Sequence, residues 1–226
     1  MRRTRNAGRR LQRALLGQAA GLVAYAMFVR PRLLRWGATR EEVHDPLPGD
    51  AAIPLPHIVA TRAITIDAPP EAVWPWLVQM GGYTRAGWYG YDAIDNGGMP
   101  SARRIIPELQ KLDVGDLLLT SRSGTGYRVE LVERERALVL AIRAFHVTEI
   151  WAIVLRDLGG RTRMLFRLRV LCRPGLLGLI YLLLSQSADY VTARKQMTTI
   201  KALAEGGSGG LRRSHDRWDQ RRDPRP

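Results

Sequence analysis

Residues 60–77, Ala-Thr-Arg-Ala-Ile-Thr-Ile-Asp-Ala-Pro-Pro-Glu-Ala-Val-Trp-Pro-Trp-Leu, change their period midway. Ala60 to Asp67 alternate and are rich in β-branched side chains, which predicts a strand. Pro69, Pro70 and Glu71 then read as a helix start, because proline is tolerated in the first turn and a carboxylate suits its positive end. Pro75 lies further in and removes a backbone donor, so the helix should be short, kinked, or begin after Pro70. Gly81 and Gly82 end it, and an aromatic and glycine-rich run, Gly-Trp-Tyr-Gly-Tyr-Asp, follows at 87–92.

Downstream, a weaker helical segment is expected from Tyr91 to Leu109, interrupted by Gly97, Gly98 and Pro100. The chain then becomes β-rich. Strands are predicted at Leu117–Thr120, Tyr127–Glu133, Ala137–Arg143, His146–Arg156 and Thr162–Cys172, with hairpin turns at 124–126 and 158–161. In the last strand Met164, Phe166, Leu168 and Val170 share one face, and Arg163, Arg167 and Arg169 the other. One covered and one wet face are therefore expected, as an antiparallel sheet allows. Glu149 alternates in phase with Val147, Trp151, Ile153 and Leu155, so a carboxylate shares an apolar face. Buried, it needs a partner, a raised pKa or water; at the mouth of the strand it would simply touch solvent. After Pro174 a long helix is expected to about Glu205, apolar nearly all round from Leu176 to Leu184.

Upstream, Pro31 precedes a connector at residues 36–58 that is punctuated by Pro46, Pro48, Pro54 and Pro56. A short helix fits at Thr39–Val43, with Thr39 as N-cap and Glu42 completing a capping box. The net charge of +14 is unevenly placed. Residues 1–40 hold ten arginines and no acid, and residues 206–226 hold six arginines against three aspartates. The middle is nearly neutral, with 19 basic and 18 acidic residues. A nucleic-acid-binding domain should carry its basic patch on the folded part, so specific nucleic-acid binding is not expected. Basic tails suit an anionic membrane surface or simple solvation.

Ala14 to Val29 form an uncharged run of 16 residues between Arg13 and Arg30. That is short of the ~20 needed to span a bilayer. A membrane-embedded or anchoring helix, a helix packed on the domain, and a cleaved signal all remain open for it. The expected organisation is a basic tail at 1–13, an apolar helix and possible membrane anchor at 14–35, the connector at 36–58, a folded domain at 59–205 and a disordered basic tail at 206–226. The expected location is at a membrane, otherwise cytoplasmic. The one cysteine, Cys172, excludes an internal disulfide and reads as a buried, inert thiol. No metal or cofactor motif is present, and none is expected.

Strand, short helices, a run of antiparallel strands and a long last helix resemble the START-like superfamily, also called Bet v 1-like or SRPBCC, in its bacterial polyketide cyclase/dehydrase and lipid-transport-like branch. The likeness is carried by residues 60–77, by Gly87–Asp92, Pro107–Gln110 and Val114–Asp116, and by Arg194, Met197, Ile200 and Glu205 in the last helix. It covers about residues 38–205. It implies an α+β helix-grip fold, with a curved antiparallel sheet, two short helices and a long C-terminal helix, here preceded by the N-terminal apolar helix. It also implies an apolar cavity between sheet and helix, and a hydrophobic small molecule or lipid as partner. The family has no shared catalytic motif to transfer, so binding is expected ahead of catalysis, with cyclisation or dehydration of a polyketide and a purely structural or interaction role as alternatives. From the residues themselves the candidate ligand-binding set is Trp88, Tyr89, Tyr91, Tyr127, Glu149, Trp151 and Phe166, with Tyr91, Tyr127 and Glu149 as polar anchors. Each could equally be ordinary core.

Overall fold

A computed structural model of the chain describes residues 17, 18, 21, 24–173 and 188–206. A π-helical turn, Tyr25–Val29, runs into helix α1, Arg30–Leu34. Helix α2, Arg40–His44, follows with the expected capping box: Glu42 N–H donates to Thr39 Oγ1 at 3.2 Å, and Thr39 N–H donates to Glu42 Oε2 at 2.7 Å. Strand β1 is Ile58–Ile66. Helix α3, Pro70–Val78, starts at Pro70 and keeps Pro75 inside its nine residues. A four-residue helix α4, Asp92–Asp95, precedes β2, Leu117–Leu119, and β3, Gly126–Glu133. Then come β4, Ala137–Arg143, β5, Val147–Asp157, and β6, Thr162–Cys172. Helix α5 occupies residues 188–206.

The six strands form one open antiparallel sheet in the order β1-β6-β5-β4-β3-β2. The fold is α+β, with α5 across one face. Met164, Phe166, Trp151, Ile153, Leu138 and Leu140 point to that face. They share a core with Val73, Trp74, Trp76 and Leu77 of α3 and with Met197, Ile200 and Ala204 of α5, whose spacing makes one helical stripe. Trp74 and Trp76 are therefore packing residues.

The opposite face departs from the expected wet surface. Residues 38–54 lie over it. Leu47 packs on Ala63, Ala137, Val154 and Leu165, and Ile53 packs on Val139, Ala141, Ile150 and Ala152. The small side chains there allow close approach, and Gly49 (φ 87°) sits where a Cβ would meet Val139 Cγ1 at 2.9 Å. The arginines of β6 become fasteners. Arg167, 2% exposed, donates from Nε to Thr61 Oγ1 at 3.0 Å and from Nη1 to Asp50 Oδ2 at 2.8 Å and Asp45 O at 2.6 Å. Its Nη2 donates to the carbonyls of Glu42 and Val43 at 2.5 and 3.1 Å. Arg163 grips both Glu42 oxygens at 2.7 and 2.8 Å, and Arg169 reaches Ile53 O and Asp50 Oδ1 at 3.0 and 3.3 Å. Alternating charge on a strand usually means solvent. Here the donors of the guanidinium are matched one by one by a folded-over segment, and that requires tertiary contact.

Both sheet edges are occupied. Ala63 N–H donates to Trp36 O at 3.1 Å, and Gly37 (φ 72°) passes so close that a Cβ would lie 2.1 Å from Ala63 O. At the other edge Leu119 O accepts from Gly82 N–H at 3.0 Å and from the Trp88 indole at 3.1 Å. Each edge thus carries a contact that an added strand would have to displace.

One further expectation is corrected. The helical segment at 91–109 reduces to α4 and a 3₁₀ turn at Pro107–Leu109, because Gly97 and Gly98 take positive φ (58° and 83°) and break the helix. The intervening loop is held instead by Arg85, which donates to the carbonyls of Val78, Met80 and Leu109, and by Gln79, which bridges Tyr89, Arg104, Ile106 and Gln110. The apolar helix expected at 14–35 is described only in part. What is described ends in the π-helical turn and α1, with Met27 and Phe28 64% and 59% exposed. Among the described residues no helix is long and apolar enough to cross a membrane. Residues 1–16, residues 174–187, where the last helix is expected to begin, and residues 207–226 of the basic tail lie outside the described residues.

Two outcomes follow for stability. Arg167→Met should destabilise the fold by about 3–5 kcal/mol, since it removes the donor of three carbonyls and the closer of the two arginines that pair with Asp50. Arg169→Met, with fewer and longer bonds, should cost about 1–2 kcal/mol. Urea unfolding at pH 7 measures both. The Glu42 carboxyl is held below its ordinary value of 4.5, first by its hydrogen bond from Arg163, against an opposing effect of burial. A carboxyl lowered in the folded state contributes stability that is complete above its unfolded pKa and is lost as pH falls through its folded value. Unfolding midpoints from pH 6 to 3 should therefore drop below about pH 4.5, and Glu42→Gln should flatten part of that drop.

Candidate functional site

A cavity of about 230 Å³ lies between α5 and the core face of the sheet. Each strand contributes what its pleat points inward. On β5, Glu149 and Trp151 are two residues apart and share the inward face, as their phase predicts. Trp151 pairs with Leu168 of β6, and Phe166 lies two positions before it on the same side. Tyr127 comes from β3, two strands away from Glu149, and its hydroxyl donates a hydrogen bond to Glu149 Oε1. Glu149 is only 7% exposed, so this bond helps compensate the carboxylate for the water it has lost.

Four aromatic rings make one continuous wall. Trp88, pinned at the β2 edge by its indole N–H, stands 5.8 Å from Tyr127 and 6.1 Å from Trp151. Tyr127 and Trp151 meet at 5.6 Å, and Trp151 and Phe166 at 5.2 Å, both edge to face. Such contacts contribute about 0.5–1.5 kcal/mol each beyond area burial, so the wall holds its shape.

The polar part of the lining includes residues that the sequence pattern did not single out. Arg62 of β1 is 2% exposed and faces the cavity. Its Nη2 donates to Asp189 Oδ2 of α5 at 2.7 Å, its Nε donates to Leu33 O at 3.1 Å, and its guanidinium lies 5.9 Å from the Tyr190 ring centre. Its signal was present: Arg62 alternates in phase with Ala60, Ile64 and Ile66, as Glu149 does with its apolar neighbours. Asp189, Thr192, Ala193 and Gln196 line the cavity from α5 at helical spacing. Asp95 of α4 lies at the rim beside Ile94, which is 73% exposed. Burial pushes the Asp95 carboxyl above its ordinary value; the Tyr91 N–H, which it accepts at 2.8 Å, opposes this, and nearby Asp92 adds to it.

Trp88, Tyr127, Glu149, Trp151 and Phe166 thus come together on one cavity. Tyr89 and Tyr91 do not line it. Tyr89 is buried in the core, with its hydroxyl accepting from Gln79 Nε2 at 2.5 Å and its ring on Trp76 at 6.1 Å. Burial pushes its phenol up to about 12. Tyr91 is 41% exposed and stands at the N-cap of α4. Both sit where the backbone leaves the Gly81–Gly87 bridge, and glycine-rich loops give no period from which to read a facing. Cys172 is buried and does not line the cavity, and desolvation, with the nearby charge of Glu149 adding to it, raises its thiol pKa, which leaves it a poor nucleophile. Among the described residues no group of three or more His, Cys, Asp or Glu side chains could hold a metal ion. The arrangement can enclose an apolar or aromatic body, present charged groups at its edge, and offer one tyrosine–carboxylate pair for proton transfer.

No family model and no curated protein matches the sequence. Solved structures do match. A protein from Mesorhizobium loti is 13% identical, with a TM-score of 0.42 over 65% of this chain and 96% of its own. One from Chromobacterium violaceum is 16% identical, with a TM-score of 0.40 over 65% of this chain and 96% of its own. One from Nitrosomonas europaea is 12% identical, with a TM-score of 0.43 over 67% of this chain and 97% of its own. At these values the likeness carries no argument about what the chain does, and the account of its site rests on the chain's own geometry.

Proposed function

We propose that this chain is a START-like, helix-grip domain that binds a hydrophobic small molecule or a single lipid chain between its sheet and its last helix. The observation that carries this reading is the aromatic wall of Trp88, Tyr127, Trp151 and Phe166 on a cavity of about 230 Å³. Ligand sites are mostly apolar concavities with a few placed polar groups, and this lining has that composition. The volume lies just under the usual ~300–1,000 Å³. A compact ring system or one alkyl chain suits it better than a two-chain lipid. Strand order and the position of α5 support the helix-grip assignment, with β1 beside β6 and the remaining strands following in hairpin succession.

A second reading, a polyketide cyclase or dehydratase-like enzyme, is favoured by one observation, the Tyr127–Glu149 hydrogen bond at the cavity wall. Such chemistry needs a positioned acid and base, and these two groups are within reach of one bound molecule.

Native mass spectrometry of the purified full chain, with solvent extraction of what it carries, tests the first reading. A hydrophobic molecule should co-purify, and Ala193→Phe, which fills the cavity from α5, should abolish its occupancy at a stability cost of about 1–3 kcal/mol. An empty wild-type chain that also binds no aromatic probe, charged or neutral, would refute binding. The enzyme reading expects turnover of a poly-β-keto substrate, lost on Glu149→Gln while substrate binding persists. No turnover by the wild-type chain rejects it.

A further inference from the structure

Helix α1 and the π-helical turn before it have two sides. The inner side enters the domain: Leu34 clusters with Ile58, Ala60, Val170 and Cys172, and Leu33 O accepts from Arg62 Nε at 3.1 Å. The outer side begins with Met27, Phe28 and Val29, which are 64%, 59% and 46% exposed. Phe28, Arg32 and Arg35 follow one another at helical spacing, so apolar and cationic groups share one stripe. Met27, Phe28, Pro31 and Trp36 line a shallow groove with those two arginines, and the Arg194 guanidinium of α5 lies 5.4 Å from the Trp36 ring centre. A single exposed apolar side chain is ordinary; three in succession beside a groove mark a contact surface.

The charge of this surface has one sign. Arg32, Arg35 and Arg194 are exposed, and among the described residues no salt bridge joins any of them to a carboxylate. The first forty residues contain no acid, so Glu41 is the first carboxylate of the chain. We propose that this outer face docks on an anionic lipid surface. Met27 and Phe28 enter the boundary between head groups and acyl chains, while Arg32, Arg35 and Arg194 meet the lipid phosphates. The combination selects the partner. A soluble acidic polymer would satisfy the arginines but leave Met27 and Phe28 in water. A neutral apolar partner would cover Met27 and Phe28 but strip water from the arginines without a counter-charge. An interfacial segment on anionic lipid uses both groups, through apolar burial and electrostatic attraction. The face also adjoins the cavity, because Arg62, which lines it, links Leu33 of α1 to Asp189 of α5. Docking stands or falls separately from the ligand-binding reading.

The test sediments the full chain with vesicles of phosphatidylcholine alone and of equimolar phosphatidylcholine and phosphatidylglycerol, at low and at high salt. The anionic vesicles should be bound at least about tenfold more tightly, and added salt should remove most of that difference. Met27→Ser with Phe28→Ser, and separately Arg32→Gln with Arg35→Gln, should each weaken binding to anionic vesicles by about tenfold. Arg32→Lys with Arg35→Lys keeps the charge and should keep the binding. Leu158→Ser removes a 47% exposed side chain at the opposite end of the sheet and should change nothing. Circular dichroism checks that each variant is folded. If the serine pair fails to fold, the glutamine and lysine pairs still decide whether this face makes the contact. Equal binding to both kinds of vesicle, or binding that neither the serine nor the glutamine pair weakens, overturns the proposal. Loss with the glutamine pair but not the serine pair also overturns it and points to an acidic macromolecule. Loss with the serine pair alone overturns the anionic requirement. An absence of vesicle binding overturns the docking outright, and a dimer that the serine pair splits would then assign the face to a second copy of the chain.

Discussion

The guanidinium of Arg167 is the point on which the architecture turns. It projects from β6, a strand flanked on both sides by other strands, onto the face that faces away from α5. A charged group there would ordinarily be left to water. Instead its nitrogens donate to Thr61, Asp50 and the carbonyls of Glu42, Val43 and Asp45. Burying a charge is costly unless its donors are matched, and the match can be made only if residues 42–50 are folded down on the sheet. Once they are, Leu47 and Ile53 enter the small-residue surface of β4 and β5, and the second face becomes an interior.

That arrangement separates the two sides of the sheet by chemistry. One side is closed by ionic and carbonyl contacts together with Leu47 and Ile53. The other is closed by α3 and α5, whose apolar stripe fills most of the gap and leaves a cavity near the start of the described helix. α5 meets the sheet there with the small or polar side chains of Asp189, Thr192, Ala193 and Gln196, where Met197, Ile200 and Ala204 pack further along. Arg62 and Asp189 tie β1 to α5 at this end. Lys201 and Glu205 tie β1 and the residue after it to the far end, through Thr65 O and the Asp67 N–H. The helix is thus held at both ends, and the cavity wall has a defined position.

Much of the fold was legible because it rests on local rules. Thr39 and Glu42 announce a capping box three residues apart, the glycines at 124–126 and 159–160 announce hairpins, and the alternation of Met164, Phe166, Leu168 and Val170 announces a core face. Glu149 could be picked out by phase alone, and Tyr127, Trp151 and Phe166 by phase and ring chemistry. The failures share a cause. Arg163, Arg167 and Arg169 looked like a wet row because nothing near them in sequence could match their donors; their partners lie more than a hundred residues away. Tyr89 and Tyr91 looked like Trp88, yet one backbone turn sends the first into the core and leaves the second in solvent.

The strands and their order, the capped helix after Thr39, the core face of β6 and the placing of a carboxylate among apolar side chains could be read directly from the chain. Period, capping and turn chemistry are written in neighbouring residues. That the connector covers the outer face, that Arg62 meets Asp189, and that five of seven chosen side chains share a cavity came from the three-dimensional arrangement alone. These are facts about groups brought together across long stretches of chain, and no local pattern encodes which distant donor finds which acceptor.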